Sequence, residues 1–355
     1  MTDALLKTSR RPYTAKAAGP GARAAPQTRE RNCSVARTVA ILSDAWSFLV
    51  IREAFFGARR FESFRTALGI PRATLSDRLK RLTQQGLFRQ VRYSRTSERV
   101  EYRLTEAGLE LYPSFMAMMQ FGDRWLSGRD GAPLRLIHKP CGCDCHPVVA
   151  CSACHGKVEA ARVSYRNGPG AGYGLSQAAP RARRSSSASQ YLRGRPSSVS
   201  RTLQIIGDRW SFLVIREAFL GARRFDRLQN ELNIATNILA DRLARLVGDG
   251  VFERRKYQEQ PDRYEYRLTA MGMDLYGALI TMMAWGDRWL SRGGAPLVLT
   301  HRDCGKDFVP VVACDRCQKP ITSNAMQFRM NYDPVAFGAP EMSDRAKAIR
   351  SKDKE

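Results

Sequence analysis

No uninterrupted apolar run approaches the roughly 20 residues that a helix needs to cross a bilayer, so a membrane protein is not expected. The opening stretch, MTDALLKTSRRPYTAKAAG, lacks the apolar core of a secretory signal, and export is not expected either. Histidine is scarce, and its four copies all lie in or beside cysteine clusters. A glycine-rich nucleotide loop and carboxylates paired at a motif spacing are both missing, which leaves no sequence basis for an enzyme. Acidic residues are short as well: 34 Asp and Glu face 58 Lys and Arg over 355 residues, a net charge of +24. That imbalance favours anionic partners, nucleic acid ahead of an acidic membrane surface. Apolar residues make up 43% of the chain, enough to build packed cores.

The nine cysteines are unevenly placed: Cys33 alone, five between Cys141 and Cys154, and three between Cys304 and Cys317. An odd count in tight clusters reads as metal or thiol chemistry in a reducing compartment, the cytoplasm, and not as a disulfide framework.

Compared with itself, the chain repeats. Trp46 to Phe55 recurs unchanged from Trp210 to Phe219, and Gly57 to Phe61 recurs from Gly221 to Phe225, an offset of 164. After one deletion near Gly293 the offset is 163, which relates Cys154 to Cys317. The expected organisation is a basic flexible tail (1–31), a first repeat (32–128), a Cys/His segment (129–158), a flexible linker (159–196), a second repeat (197–292), a second Cys/His segment (293–323) and a C-terminal tail (324–355). The linker carries GPGAGYG and RARRSSSASQ; about 40 such residues reach roughly 35 Å, enough for the repeats to lie side by side.

Within each repeat the periodicity changes twice. Asp44 to Phe56 reads as a buried helix stopped by Gly57. Phe61, Phe64 and Leu68 follow at helical spacing, closed by Gly69 as a left-handed cap; the second repeat has Phe225, Leu228, Leu232 and Asn233 there. Leu75, Leu79 and Leu82 mark the next helix, matched by Leu239, Leu243 and Leu246. Two short helices around a tight turn form a helix-turn-helix. Leu87 to Tyr93 with Val100 to Leu104, and Val251 to Tyr257 with Tyr264 to Leu268, then read as β-hairpins or wings. Thr105 and Thr269 stand where N-caps belong. The long helix expected after them carries an apolar stripe, Leu111, Phe115, Met118, Gly122 and Trp125, repeated from Leu275 to Trp289. Pro113 and Gly277 share one position in it and predict a shared bend. The fold class is mainly α with small β-hairpins (α+β): two tandem winged helix-turn-helix domains, each followed by a Cys/His knuckle.

The order RTVAILSDAWSFLVIREAFFGARRF, LSDRLKRLTQQGLF, RVEYRLTEAG resembles the HxlR-type winged helix-turn-helix regulators of bacterial transcription. So does IIGDRWSFLVIREAFLGARRF, LADRLARLVGDGVF, RYEYRLTAMG. The resemblance implies binding of double-stranded DNA, with the second helix of each helix-turn-helix in the major groove, and pairing of two domains through their terminal helices. A tandem chain departs from the usual single-domain pattern. It is expected to form an intramolecular pseudo-dimer with recognition helices about 34 Å apart, and homodimerisation stays open.

The recognition helices span 72–85 and 236–249. Arg72, Ala73, Thr74 and Ser76 stand opposite Thr236, Asn237, Ile238 and Ala240 at the ends that reach base edges; Arg72 suits guanine and Asn237 suits adenine. Different faces predict different half-sites, although drift on a solvated face gives the same pattern. Arg78, Arg81, Arg242 and Arg245, with Arg59, Arg60, Arg223 and Arg224, are candidate phosphate contacts or surface ion pairs. Arg92, Arg95, Lys256 and Arg263 lie on or beside the wings and are candidate minor-groove or phosphate contacts.

Each repeat is followed by the same ligand pattern. His138-x2-Cys141 precedes Cys151-x2-Cys154, and His301-x2-Cys304 precedes Cys314-x2-Cys317, with nine residues between the inner cysteines. Two such turns within one segment can present four soft donors to one tetrahedral ion. Two structural zinc ions are therefore expected, one per segment, with redox-active thiols and inert buried thiols as the alternatives; Cys143, Cys145, His146 and His155 occur only in the first segment and leave its ligand choice open. Cys33, which Ser197 replaces in the second repeat, sits where the resemblance implies a redox-sensing thiol in some members.

These readings converge on a cytoplasmic, nucleoid-associated, sequence-specific regulator, a repressor by analogy. The alternative is a nucleoid or architectural protein of low specificity, supported by the charge and the basic tails.

Overall fold

The computed structural model describes residues 29–42, 44–93, 99–175 and 195–333. The first repeat begins with strand β1 (Arg29–Arg31) and helix α1 (Ser34–Leu42), followed by α2 (Ala45–Phe55), α3 (Phe61–Leu68), α4 (Arg72–Gln84), β2 (Phe88–Arg92), β3 (Val100–Leu104), α5 (Glu106–Leu109) and α6 (Tyr112–Leu126). Its Cys/His segment holds β4 (Leu134–His138), β5 (Cys143–Asp144) and β6 (Pro147–Cys151), and β7 (Val163–Asn167) and β8 (Tyr173–Leu175) come next. The second repeat has α7 (Ser198–Ile206), α8 (Arg209–Phe219), α9 (Phe225–Leu232), α10 (Thr236–Gly248), β9 (Phe252–Glu259), β10 (Asp262–Leu268), α11 (Ala270–Asp274) and α12 (Tyr276–Leu290). Strands β11 (Leu297–His301), β12 (Lys306–Phe308), β13 (Pro310–Cys314) and β14 (Met326–Met330) close the order.

Local chemistry explains the elements. The carboxylate of Asp44 caps α2 by accepting from the Ser47 backbone N–H at 3.0 Å. Trp46, Phe48, Leu49, Val50 and Ile51 are all buried, as an all-round apolar helix must be. Gly69 and Asn233 both adopt the left-handed conformation (φ +58° and +47°) that ends α3 and α9, which Gly and Asn tolerate best. Leu75, Leu79 and Leu82 bury one face of α4. Thr105 and Thr269 accept from the N–H groups of Gly108 and Gly272. The expected bent terminal helix is instead broken in two. Pro113 is the second residue of α6, where its missing N–H had no helical partner to lose; Gly277 holds the same place in α12.

The repeats meet reciprocally. Helix α1 packs along α12, α7 packs along α6, and α6 crosses α12. Ser34 donates to Asp287 at 2.5 Å and Ser198 donates to Asp123. Thr38 donates to the Met282 carbonyl at 3.1 Å, and Thr202 donates to that of Met118 at 2.8 Å. Phe48 stacks on Phe212 with ring centroids 6.1 Å apart, and one apolar core runs through both repeats. Two buried charge clusters span the boundary: Glu53 binds Arg52 and Arg195, and Glu217 binds Arg216 and Arg31. Breaking such a cluster on one side costs about 3–5 kcal/mol, because it strands a buried charge.

The segments after the helices differ most from expectation. Strand β7 lies inside the stretch read as linker (159–196) and pairs with β11; β8, also there, pairs with β1 at the end of the basic tail. Strand β14 lies inside the stretch read as a C-terminal tail and pairs with β4, while β6 pairs with β13. Each Cys/His segment thus finds strand partners in the other half. A two- or three-strand ribbon leaves open edges, and a second copy covers them. Glycine and serine composition carried no sign of this.

Gly122 and Gly286 let the helices approach. A Cβ at Gly122 would sit 2.3 Å from the Ser198 carbonyl oxygen, and one at Gly286 would sit 2.6 Å from that of Ser34. Gly122→Ala and Gly286→Ala are each expected to destabilise the chain by about 1–3 kcal/mol, read as a lower urea midpoint at unchanged m-value. Burial lifts the carboxyls of Asp123 and Asp287 to about 6, against Ser198 with Arg201 and His146 in one case and Ser34 with Arg37 in the other. A folded pKa above the unfolded value means that the native state binds more protons between about pH 4 and 6. Stability is therefore expected to fall as pH rises through that window and to level off above it. Replacing both by Asn should flatten the decline and raise the thermal midpoint at pH 7.5.

Candidate nucleic-acid interface and metal centres

With its leucines buried, α4 presents Arg72, Ser76 and Lys80 outward, and α10 presents Thr236, Asn237 and Ala240. Arg72 is 78% exposed, 3.3 Å from Glu62, with its guanidinium over the Phe61 ring at 5.2 Å. Thr236 accepts from the Gln229 side-chain amide at 2.8 Å. Thr74 is half-buried, and Ile238 at the same position packs against the core. The outward face at these N-termini is therefore narrower than the sequence reading drew it, because helix rotation turns that position inward.

Arg78 and Arg242 have another occupation. Arg78 pairs with Asp44 and Asp77; Arg242 pairs with Asp208 at 3.0 Å and Asp241 at 2.5 Å. Burial disfavours the charge of Arg78, but Asp44 outweighs it and holds the pKa above the usual arginine value. Since Asp44 and Asp208 cap α2 and α8, these arginines fix α4 to α2 and α10 to α8. Arg81 lies 3.1 Å from Asp77, the i,i+4 pair foreseen as its alternative role, and Arg245 binds the Gln204 carbonyl.

The wings rest on the turns before α3 and α9. The N–H of Tyr102 donates to the Arg59 carbonyl at 2.7 Å, and that of Tyr266 donates to the Arg223 carbonyl at 2.8 Å. Arg60 lies over Tyr93 and Arg224 over Tyr257, each at 4.5 Å. Sequence reading found these arginines but not their aromatic partners. Arg92 and Arg263 are exposed, and Lys256 lies 2.7 Å from Asp262. Arg95 lies outside the described residues. For Glu53 and Glu217 the sequence signal is a lone carboxylate at the end of an apolar run, FLVIRE, in both repeats.

Cys33 is half-buried beside Arg216 and accepts from the Ala36 N–H at 3.4 Å. Burial opposes the charge of Arg216, but Cys33 and Glu217 together hold its pKa above the usual arginine value.

The eight expected ligands gather into two groups, paired differently from the reading within each segment. His138 and Cys141 meet Cys314 and Cys317, while His301 and Cys304 meet Cys151 and Cys154. In the first group the Cys141 and Cys314 sulfurs are 3.9 Å apart, and His138 Nδ1 is 3.5 Å from Cys141 and 3.2 Å from Cys317. In the second, Cys151 and Cys304 are 4.0 Å apart, with His301 Nδ1 3.3 Å from Cys154 and 3.7 Å from Cys304. The antiparallel pairing of β6 with β13 carries each Cys-x2-Cys turn to the other half's His-x2-Cys turn. Four soft donors around one point can hold a metal ion.

A core helix, a helix-turn-helix with an outward polar face and a hairpin wing define a winged helix-turn-helix protein, here present twice. The HxlR-like helix-turn-helix family matches residues 41–130 and again 205–293; the chain belongs to it and is a DNA-binding transcriptional regulator. An uncharacterized HTH-type transcriptional regulator of Mycobacterium tuberculosis (strain CDC 1551 / Oshkosh) is 44% identical over 137 residues, 39% of this chain and 87% of that protein. The Bacillus subtilis (strain 168) regulator YtcD, also uncharacterized, is 33% identical over 96 residues, 27% of this chain and 76% of its own. Among solved structures, the redox regulator HypR in its reduced form is 30% identical, covers 26% of this chain and 92% of its own, and has a TM-score of 0.25. No helix among the described residues is long and apolar enough to cross a membrane.

Proposed function

We propose that the chain is a sequence-specific repressor that reads two unlike half-sites as a covalent pseudo-dimer in the cytoplasm, associated with the nucleoid. The observation that carries this is the composition of the two outward helix faces. Arg72 and Ser76 on one, and Thr236 and Asn237 on the other, leave the same scaffold with different donors. An arginine fork suits guanine O6 and N7, and an asparagine amide suits adenine N6 and N7. Arg59, Arg60, Arg92, Arg223, Arg224, Lys256 and Arg263 supply phosphate contacts that set register without reading sequence. Arg81 and Arg245 add to them, while Arg78 and Arg242 position the helices. Repression follows from occupying an operator. The two Cys/His groups hold structural zinc. Cys33, half-buried beside the Arg216 guanidinium, is the redox-sensing thiol.

Selection from a random duplex pool is expected to return an asymmetric site with half-sites about one helical turn apart. Arg72→Ala should relax specificity in one half-site, and Asn237→Ala in the other, each at a cost of about 1–3 kcal/mol. Two identical half-sites would refute the asymmetry. A specific-to-nonspecific ratio well under about 10³ would favour the architectural alternative, which the charge of +24 supports. For Cys33, Cys33→Ser should lose the change in operator affinity that hydrogen peroxide produces in the parent chain; an unchanged response removes that role.

A further inference from the structure

DNA recognition uses none of the eight Cys/His ligands, yet both repeats keep all four at matched positions. Their placement assigns them work between the repeats. Each group takes its His-x2-Cys turn from one half and its Cys-x2-Cys turn from the other. We infer that two zinc ions, each bound by one histidine and three cysteines drawn from both repeats, form a crossed clasp that locks the halves of the chain together. This rests on the zinc assignment made above.

The donor geometry supports an ion at each centre. Zinc–sulfur bonds of about 2.3 Å and zinc–nitrogen bonds of about 2.0–2.1 Å give tetrahedral edges of about 3.8 Å between sulfurs and about 3.6 Å between sulfur and nitrogen. The observed edges are 3.9 and 4.0 Å between sulfurs and 3.2 to 3.7 Å between sulfur and nitrogen. A disulfide requires about 2.05 Å, so these cysteines are spaced for a shared ion and not for each other. The cysteine turns are built alike: backbone N–H groups of Ala153 and Arg316 donate to Cys151 and Cys314, each at 3.4 Å. Such donors stabilise thiolate ligands. His138 and His301 are fully buried and aim Nδ1 at the sulfurs, while the Asp303 carboxylate lies 3.6 Å from His301 Nε2.

The surrounding strands are crossed in the same sense. Strand β7, just past the Cys151–Cys154 turn, pairs with β11, which ends at His301; β14, past the Cys314–Cys317 turn, pairs with β4, which ends at His138. Neither half carries a complete site. The clasp therefore couples the two winged helices through the layer beneath them, and metal loss opens that layer without removing any residue of the DNA-facing helices.

Zinc stoichiometry in double variants of the full chain tests this. Cys145 Sγ lies within 4.8 Å of Cys314 and can substitute for a lost ligand, so all variants carry Cys145→Ala. The parent with that change is expected to hold two zinc ions per chain. Adding Cys141→Ser with Cys317→Ser disables one crossed site and should leave one ion. Adding Cys141→Ser with Cys154→Ser disables both and should leave none. The opposite result, none in the first and one in the second, overturns the crossing while the zinc assignment stands. A parent without zinc overturns the assignment itself. Should the serine chains fail to fold, histidine at the same pairs keeps four ligands per site for cobalt(II). Cys141→His with Cys317→His then gives two unlike sites, of one and three thiolates, whose spectra superimpose. Cys141→His with Cys154→His gives two equal sites of two thiolates, and the reverse assignment of these spectra again overturns the crossing.

Discussion

The laying of each repeat's first helix against the other repeat's last one is the contact from which the remaining architecture follows. It works because Gly122 and Gly286 present bare backbone to the Ser198 and Ser34 carbonyls, so that Thr38 and Thr202 reach carbonyl oxygens on the facing helix. Close approach excludes water, which makes the burial of Phe48 against Phe212 favourable. It also brings Arg31 and Arg195 to Glu217 and Glu53. The contacts occur in matched pairs: Ser34 with Asp287 and Ser198 with Asp123, Thr38 with Met282 and Thr202 with Met118.

This arrangement divides the labour among the arginines. Those whose guanidinium is half-buried, Arg78 and Arg242, are matched by the capping carboxylates of α2 and α8 and hold α4 and α10 in place. Those at the rim, Arg59, Arg60, Arg223 and Arg224, are exposed next to the wings. Exposure separates the two roles where sequence spacing could not, since all carry the same charge and recur at the same offset. The same separation applies on α4 and α10, where Thr74 and Ile238 turn toward the core while Arg72 and Asn237 face outward.

Below the winged helices, the short β-layer shows how a repeated ribbon settles its edges. Sheets of only two or three strands, such as those holding the five-residue β4, β7, β11 and β14, are marginal in isolation. Each finds its partner in the other half. The exchange moves the two cysteine turns to opposite halves, so the ligand groups are made by the fold and not by contiguous segments.

Much was legible in the residues. The repeat shows in the sequence at an offset of 164; the leucine faces of α4 and α10, the left-handed caps at Gly69 and Asn233, the Thr105 and Thr269 caps and the hairpins all rest on local chemistry: backbone φ preference, side-chain period and short-range hydrogen bonds. The four short Cys/His turns were equally legible, because a His-x2-Cys or Cys-x2-Cys spacing is a local object. Which turn meets which was not, nor that β7, β8 and β14 lie in stretches that read as linker and tail. The occupation of Arg78 by Asp44, 34 residues away, belongs to the same class. Partner choice across such distances depends on which open strand edges and buried charges the folded halves bring together, and a one-dimensional pattern holds no record of that meeting.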